Sequence, residues 1–188
     1  NFTSALDVST DSENFVGIPS SLAAVVRKAK LINDDRPYIP VAGETHGRVQ
    51  EYIGLYRTLT TVEKNGFQAL EVNVVVSKVG VGPLFVSQNN MYGEEGHLKR
   101  SHVVTQALVI KRALKEIAES ITFLPNNLGT WNIVSLRIKD LLKRYQKADG
   151  IVSYEVAVGT GITMTEEEAA NGLMRVAVSF VPISLVER

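Results

Sequence analysis

The chain has no cysteine. That excludes a disulfide framework, a zinc site built on thiolates and a cysteine nucleophile. It also has no net charge, since 20 basic and 20 acidic residues cancel. A neutral chain lacks the overall field that drives non-specific binding to nucleic acid, so only a local patch can recruit a charged partner. Its apolar runs are only a few residues long, too short to span a bilayer. Histidine is scarce, at three residues. The polar start at Asn1 is unlike a signal peptide, and the end at Arg188 looks like a protease cut, so a processed piece is expected.

What is present is an ordinary globular composition. The chain is 188 residues long and 45% apolar, enough to bury a sizeable core in one domain. Residues 1–16 are rich in Ser, Thr, Asp and Asn and read as an irregular segment. A helix follows, with Ser20 or Ser21 as its cap and Leu22, Val25, Val26 and Ala29 on one face. The stretch 34–47 carries prolines and glycines that break regular structure. Thr60 or Thr61 caps a short helix ending near Gly66, and "ALEVNVVVSK" alternates as a strand on Leu70, Val72, Val74 and Val76. "GVGPLFVSQ" suggests a second short strand.

From Leu98 to Ser120 the period becomes helical, with Val103, Val104, Ala107, Leu108, Leu114, Ile117 and Ile121 as the stripe. "FLPNNLGTW" makes a turn, and Thr130 caps a second long helix that reaches Ala148, with Gly150 as its punctuation. "IVSYEVAVG" reads as a strand, Thr165 and Glu168 have capping-box spacing, and a last strand runs from Leu173 to Ile183. Strands and helices occur without a regular βαβ alternation, so the expected class is α+β, a mixed β-sheet flanked by helices.

Catalytic patterns are weak. Gly80 and Gly82 follow a strand, but Pro83 and Leu84 supply neither the helix nor the Lys-Ser/Thr ending of a phosphate loop. His46, His97 and His102 match no metal-ligand spacing, and His97 beside Glu94 and Glu95 reads as a polar loop. Ser153 and Ser179 lie in strand patterns rather than in a nucleophile elbow. Asp34 with Asp35 reads as a turn, and Glu166 to Glu168 as the acidic first turn of a helix. The reading is of a protein with no enzymatic activity, no metal and no cofactor.

The 131–148 helix is the most informative element. Trp131, Val134, Ile138, Leu141, Leu142 and Tyr145 fall on one side, and Arg137, Lys139, Lys143, Arg144 and Lys147 on the other, with Asp140 among them. Such a face is either simply solvated or addresses an acidic partner.

Several blocks, in order, carry a resemblance. They are "RPYIPVAGETHGRV", "EKNGFQALEVNVVVSKVGVGPLFVSQNN", the long 102–151 stretch with its "FLPNNLGTW" turn, and "MTEEEAANGLMRVAVSFVPISLVE". From about residue 36 onward the chain resembles the C-terminal core of tail sheath proteins of contractile-tailed bacteriophages. Where many relatives have an aromatic-Gly and a Thr, Val86, Ser87 and Gln88 to Asn90 stand here.

The resemblance implies residues 36–188 as the sheath core, preceded by an irregular segment and helix at 1–35. It implies a subunit that stacks in hexameric rings around a tail tube, in the virion tail, after assembly in the host cytoplasm. Contraction would drive the tube through the envelope, with neighbours joined by exchanged strands. Its partners would be other sheath subunits and the tube protein, with no nucleic acid and no membrane insertion. The tube-contact candidates are Arg137, Lys139, Lys143, Arg144 and Lys147. The inter-subunit tether candidates are Pro182, Ile183, Ser184, Leu185, Val186 and Glu187. The chain is shorter than most such proteins and stops where relatives continue into an arm strand, so a core fragment is expected. The alternatives are the sheath of a related injection apparatus, such as a tailocin or secretion system, and a small soluble enzyme with an unrecognised site.

Overall fold

A computed structural model describes residues 5–10, 14–49, 54–91 and 96–185. It divides into two compact units, Asn1–Gln106 and Ala107–Arg188.

The first unit begins with a hairpin of β1 (Ala5–Thr10) and β2 (Asn14–Pro19), in register from Ala5 opposite Pro19 to Thr10 opposite Asn14. The expected irregular segment is therefore largely strand. Its polar residues hide this, because the ladder is made by backbone groups. The short β3 (Gly54–Leu55) pairs with the other edge of β1, giving the order β2-β1-β3.

Helix α1 (Ser20–Asn33) starts directly after Pro19 and has no side-chain cap, so neither serine plays the expected capping role. Instead Ser20 is buried, together with Ala23. The predicted apolar face is turned out: Leu22, Val25 and Val26 are 50%, 62% and 59% exposed. A short α2 (Gly43–His46) interrupts the proline- and glycine-containing stretch.

Helix α3 (Thr61–Ala69) is capped by Thr60, which accepts from the Glu63 backbone N–H while the Glu63 carboxylate accepts from the Thr60 backbone N–H. Gly66 lies inside this helix rather than at its end. The chain leaves α3 through Glu71, at φ +58°, while Val72 N–H donates to the Phe67 carbonyl at 2.9 Å. That exit consumes Leu70 to Val72, so β4 spans only Val75–Lys78 rather than the whole alternating run. It forms a hairpin with β5 (Gly82–Phe85), in which Gly80 and Gly82 take positive φ at the turn. Ala23, Val41, Val49, Val75 and Phe85 form a buried cluster, with Ala24, Leu31 and Leu55 against it.

A single 3₁₀ turn (His97–Lys99) leads into α4 (Ser101–Ser120), within which the division between units falls. Of the expected α4 stripe Val103 is buried and Leu108 is exposed, while His102, Thr105 and Gln106 are buried.

In the second unit α5 (Leu128–Lys147) contacts β6 (Ile151–Val158). Helix α6 (Glu166–Ala170) then leads to β7 (Val176–Pro182), shorter at both ends than the expected strand. β6 and β7 pair antiparallel, with Tyr154 opposite Phe180 and Val156 opposite Val178, and with an irregularity between Ile151 and Ser153. The class is α+β as expected. The described strands form three small antiparallel sheets rather than one mixed sheet.

Candidate functional site

The turn before α5 is built by side chains that satisfy backbone groups. The Asn127 side chain accepts from Thr130 N–H at 3.0 Å, so Asn127, not Thr130, is the cap. Thr130 is buried, and its hydroxyl donates to the Pro125 carbonyl at 2.7 Å. At the other end Gly150 N–H donates back to Tyr145, but the left-handed residue is Asp149, at φ +55°.

The buried side of α5 is Thr130, Val134, Ile138, Leu141, Leu142 and Tyr145. This is the face read from the sequence, save that Trp131 is only half-buried. Leu142 is completely enclosed. Burying such a face, at about 1.5–3 kcal/mol per large aliphatic side chain, fixes which side of α5 points away from the core.

All five cations, Arg137, Lys139, Lys143, Arg144 and Lys147, are exposed. At about 100° per residue Lys143 and Lys147 lie in the middle of the outward face. Arg137 and Arg144 flank one side of it, and Lys139 the other. Arg137, Lys143, Arg144 and Lys147 share an open groove of about 690 Å³ with Asp140, bounded by Ile117 of α4. Lys139 stands outside it. The Arg137 guanidinium donates to Ser120 Oγ at 2.9 Å, which holds one wall of the groove. Among the described residues none of the five cations forms an ion pair. Ile133 and Leu136 are exposed on the same outward side, 46% and 61%. The surface thus mixes cations with apolar side chains. It offers several unneutralised donors to an acidic surface, with apolar area to bury on contact.

The tether candidates lie at the end of β7. Pro182 is the last residue of that strand, buried and opposite Ile151, and Ile183, Ser184 and Leu185 follow without regular structure. Val186 and Glu187 lie outside the described residues.

The remaining sequence candidates are dispersed. The His46 carbonyl accepts from Arg27 Nε at 3.3 Å. His97 is exposed in the 3₁₀ turn, and Glu94 and Glu95 are outside the described residues. His102 is buried, and burial, reinforced by the positive charges of Arg100 and Lys28, lowers its pKa to about 4. Asp35 is in the turn after α1, at φ +57°. Glu166 to Glu168 form the first turn of α6, where Glu168 completes a capping box with Thr165. Among the described residues no group of three or more His, Asp or Glu is placed to hold a metal, and no helix is long and apolar enough to cross a membrane.

Two features went unread in the sequence. One is the outward apolar side of α1. The other is Phe123, fully exposed and held at φ +70°. Periodicity marks a stripe but not what covers it, and a left-handed phenylalanine has no compositional signal.

No protein-family model matches the chain, and no curated protein matches it. Solved structures do match it. A chain of the anti-feeding prophage baseplate aligns over 98% of this chain and 51% of its own length, at 18% identity and a TM-score of 0.84. A chain of the PVC sheath complex, an extracellular contractile injection system in its contracted state, aligns over 98% and 52%, at 20% identity and a TM-score of 0.83. The sheath tail protein of Desulfitobacterium hafniense aligns over 95% and 44%, at 11% identity and a TM-score of 0.62. The chain spans about half the length of these solved chains, and over that span it has the fold of contractile sheath proteins.

Proposed function

We propose that this chain is the core of a sheath subunit that polymerises around a tube and contracts to drive that tube through a cell envelope. The observation that carries the proposal is the alignment of 98% of the chain with a contractile sheath complex at a TM-score of 0.83. The fuller likeness to that injection-system sheath than to the sheath tail protein, 0.83 against 0.62, supports an injection apparatus over a phage tail.

The subunit's partners are further copies, stacked as hexameric rings, and a tube protein. The groove on α5 faces the tube, where Arg137, Lys143, Arg144 and Lys147 meet acidic side chains and Lys139 flanks the contact. Each exposed pair is weak, about 0–1 kcal/mol, so attachment rests on many copies acting together and is sensitive to salt. The stretch from Pro182, the last residue of β7, through Ile183, Ser184, Leu185 and Val186 to Glu187 is the tether between subunits. Pro182 has no N–H to extend the ladder, which suits a strand end that hands over to a link between subunits.

Negative-stain imaging of the full-length protein tests the reading. Tubular polymers are expected, and dispersed globular particles under all assembly conditions would oppose it. The tether is tested separately by replacing Ile183 to Leu185 with Gly-Ser-Gly. Retained folding with lost polymers is expected, and polymers of normal length and contraction would remove it.

A further inference from the structure

The first unit holds a small pocket of about 190 Å³ that the sheath reading does not use. Its wall is α1, through Ala23 and Val26, and its floor is Val49 and Phe85. Ala23, Val49 and Phe85 belong to the buried cluster, so the floor is rigid. The 47–49 segment is pinned to β5: Val49 N–H donates to the Pro83 carbonyl, Phe85 N–H donates to the Gly47 carbonyl, and Arg48 bridges Leu84. Gly47 is required there, because a Cβ would lie 2.6 Å from the Ala42 carbonyl carbon.

Three cations, Arg27, Lys30 and Arg48, complete the lining, and no described lining residue is acidic. Arg27 is oriented by its bond to the His46 carbonyl. The Arg48 Nε is buried without a hydrogen-bond partner among the described residues. A carboxylate is the natural acceptor for the guanidinium and ammonium groups that line the pocket. The pocket is smaller than the roughly 300–1,000 Å³ of small-molecule sites, and suits one apolar side chain. Val26 at its rim continues into the exposed Val25 and Leu22 of α1, which extends the apolar track beyond the pocket.

We propose that this pocket docks a peptide segment of a partner protein in which an apolar side chain sits beside a carboxylate. The apolar side chain fills the space over Val49 and Phe85, and the carboxylate takes the donors of Arg48, Arg27 and Lys30. Charge complementarity selects this occupant: three cations without a described acid favour an acidic segment and reject a basic one.

The test is an amide NMR titration of the chain with the synthetic peptide Ac-Gly-Leu-Glu-Glu-Gly-NH2. Its lysine-for-glutamate and serine-for-leucine counterparts are run in parallel. The expected result is shifts at Ala23, Arg27, Val49 and Phe85, and binding at least about fivefold weaker for either counterpart. Lys30→Glu, at an exposed position, and Arg48→Gln should each weaken binding at least about threefold while the spectrum stays that of the folded chain. Equal binding of the lysine peptide, unchanged binding in Lys30→Glu, or no shifts at about 2 mM peptide would overturn the proposal. So would binding to phosphatidylglycerol vesicles without peptide binding, which gives the pocket to a lipid. Self-association that Lys30→Glu abolishes would likewise give it to a second copy.

Discussion

The indole Nε1 of Trp131 donates to the side-chain oxygen of Asn126 at 2.6 Å. The same Asn126 amide donates to the carbonyls of Ala169 and Leu173, at 2.9 and 3.1 Å. One asparagine therefore ties the turn before α5 to the first turn of that helix, to the last turn of α6 and to the loop that follows α6. Asn126→Ala is expected to destabilise the second unit by about 2 kcal/mol, because three partners lose a bond at once. Trp131→Phe, which removes one, is expected to cost about 1 kcal/mol. Urea unfolding of both variants checks the order, and an Asn126 variant no weaker than the Trp131 variant would contradict it.

Phe123 predicts the opposite sign. It is fully exposed at φ +70°, where a side chain carries a strain of about 1–2 kcal/mol. Phe123→Gly removes the strain, loses no buried contact, and gives part of the gain back through a freer unfolded chain. A net rise of about 0.5–1 kcal/mol is expected, or a few degrees in thermal midpoint. A lowered midpoint would show that the exposed ring is held by contacts the present structure does not contain.

His102 gives the chain a pH dependence. Its side chain is 4% exposed, neither ring nitrogen has a hydrogen-bond partner among the described residues, and its pKa is lowered from 6.5 to about 4. The folded chain thus keeps His102 neutral where the unfolded chain takes up a proton. Stability from this group is complete above pH 6.5, falls as the pH drops from there to about 4, and then levels off. The span corresponds to at most about 3.5 kcal/mol at about 1.4 kcal/mol per pH unit. Denaturant midpoints between pH 7 and 4, compared with His102→Leu, measure it. Equal slopes for the two proteins would refute the assignment.

The groove on α5 yields a prediction with two readouts. Reversing Lys143, Arg144 and Lys147 to Glu changes only exposed side chains, so stability is expected to move by about 0.5 kcal/mol or less per site. Sheath attachment to tubes at low salt is expected to fail. Normal attachment of the reversed protein would place the tube contact elsewhere.

How much of this was legible in the residues alone differs from element to element. The buried side of α5 followed from Val134, Ile138, Leu141, Leu142 and Tyr145, because one helical period and one core decide it. The strands β6 and β7 followed from alternation, though their pairing did not, and Val176, Val178 and Phe180 share the less exposed side of β7. The β1–β2 hairpin did not follow, since Ser, Thr, Asp and Asn in a strand are indistinguishable from loop until the backbone finds a partner. Nor did α1: Leu22, Val25 and Val26 form a clean stripe, yet it is Ser20 and Ala23 that are buried. The five cations were legible as a face, but their division into four in a groove and Lys139 outside it needed α4 in place beside them.

The proposed role of this fold is that of the repeating core of a contractile sheath. A helical cryo-EM reconstruction of the full-length protein measures it most directly. The expected result is a hollow tube whose repeating density accommodates the α5–β6–β7 unit, with Lys143 and Lys147 facing the lumen. A protein that yields no tubular polymer, or a tube whose repeat has a different fold, would contradict it.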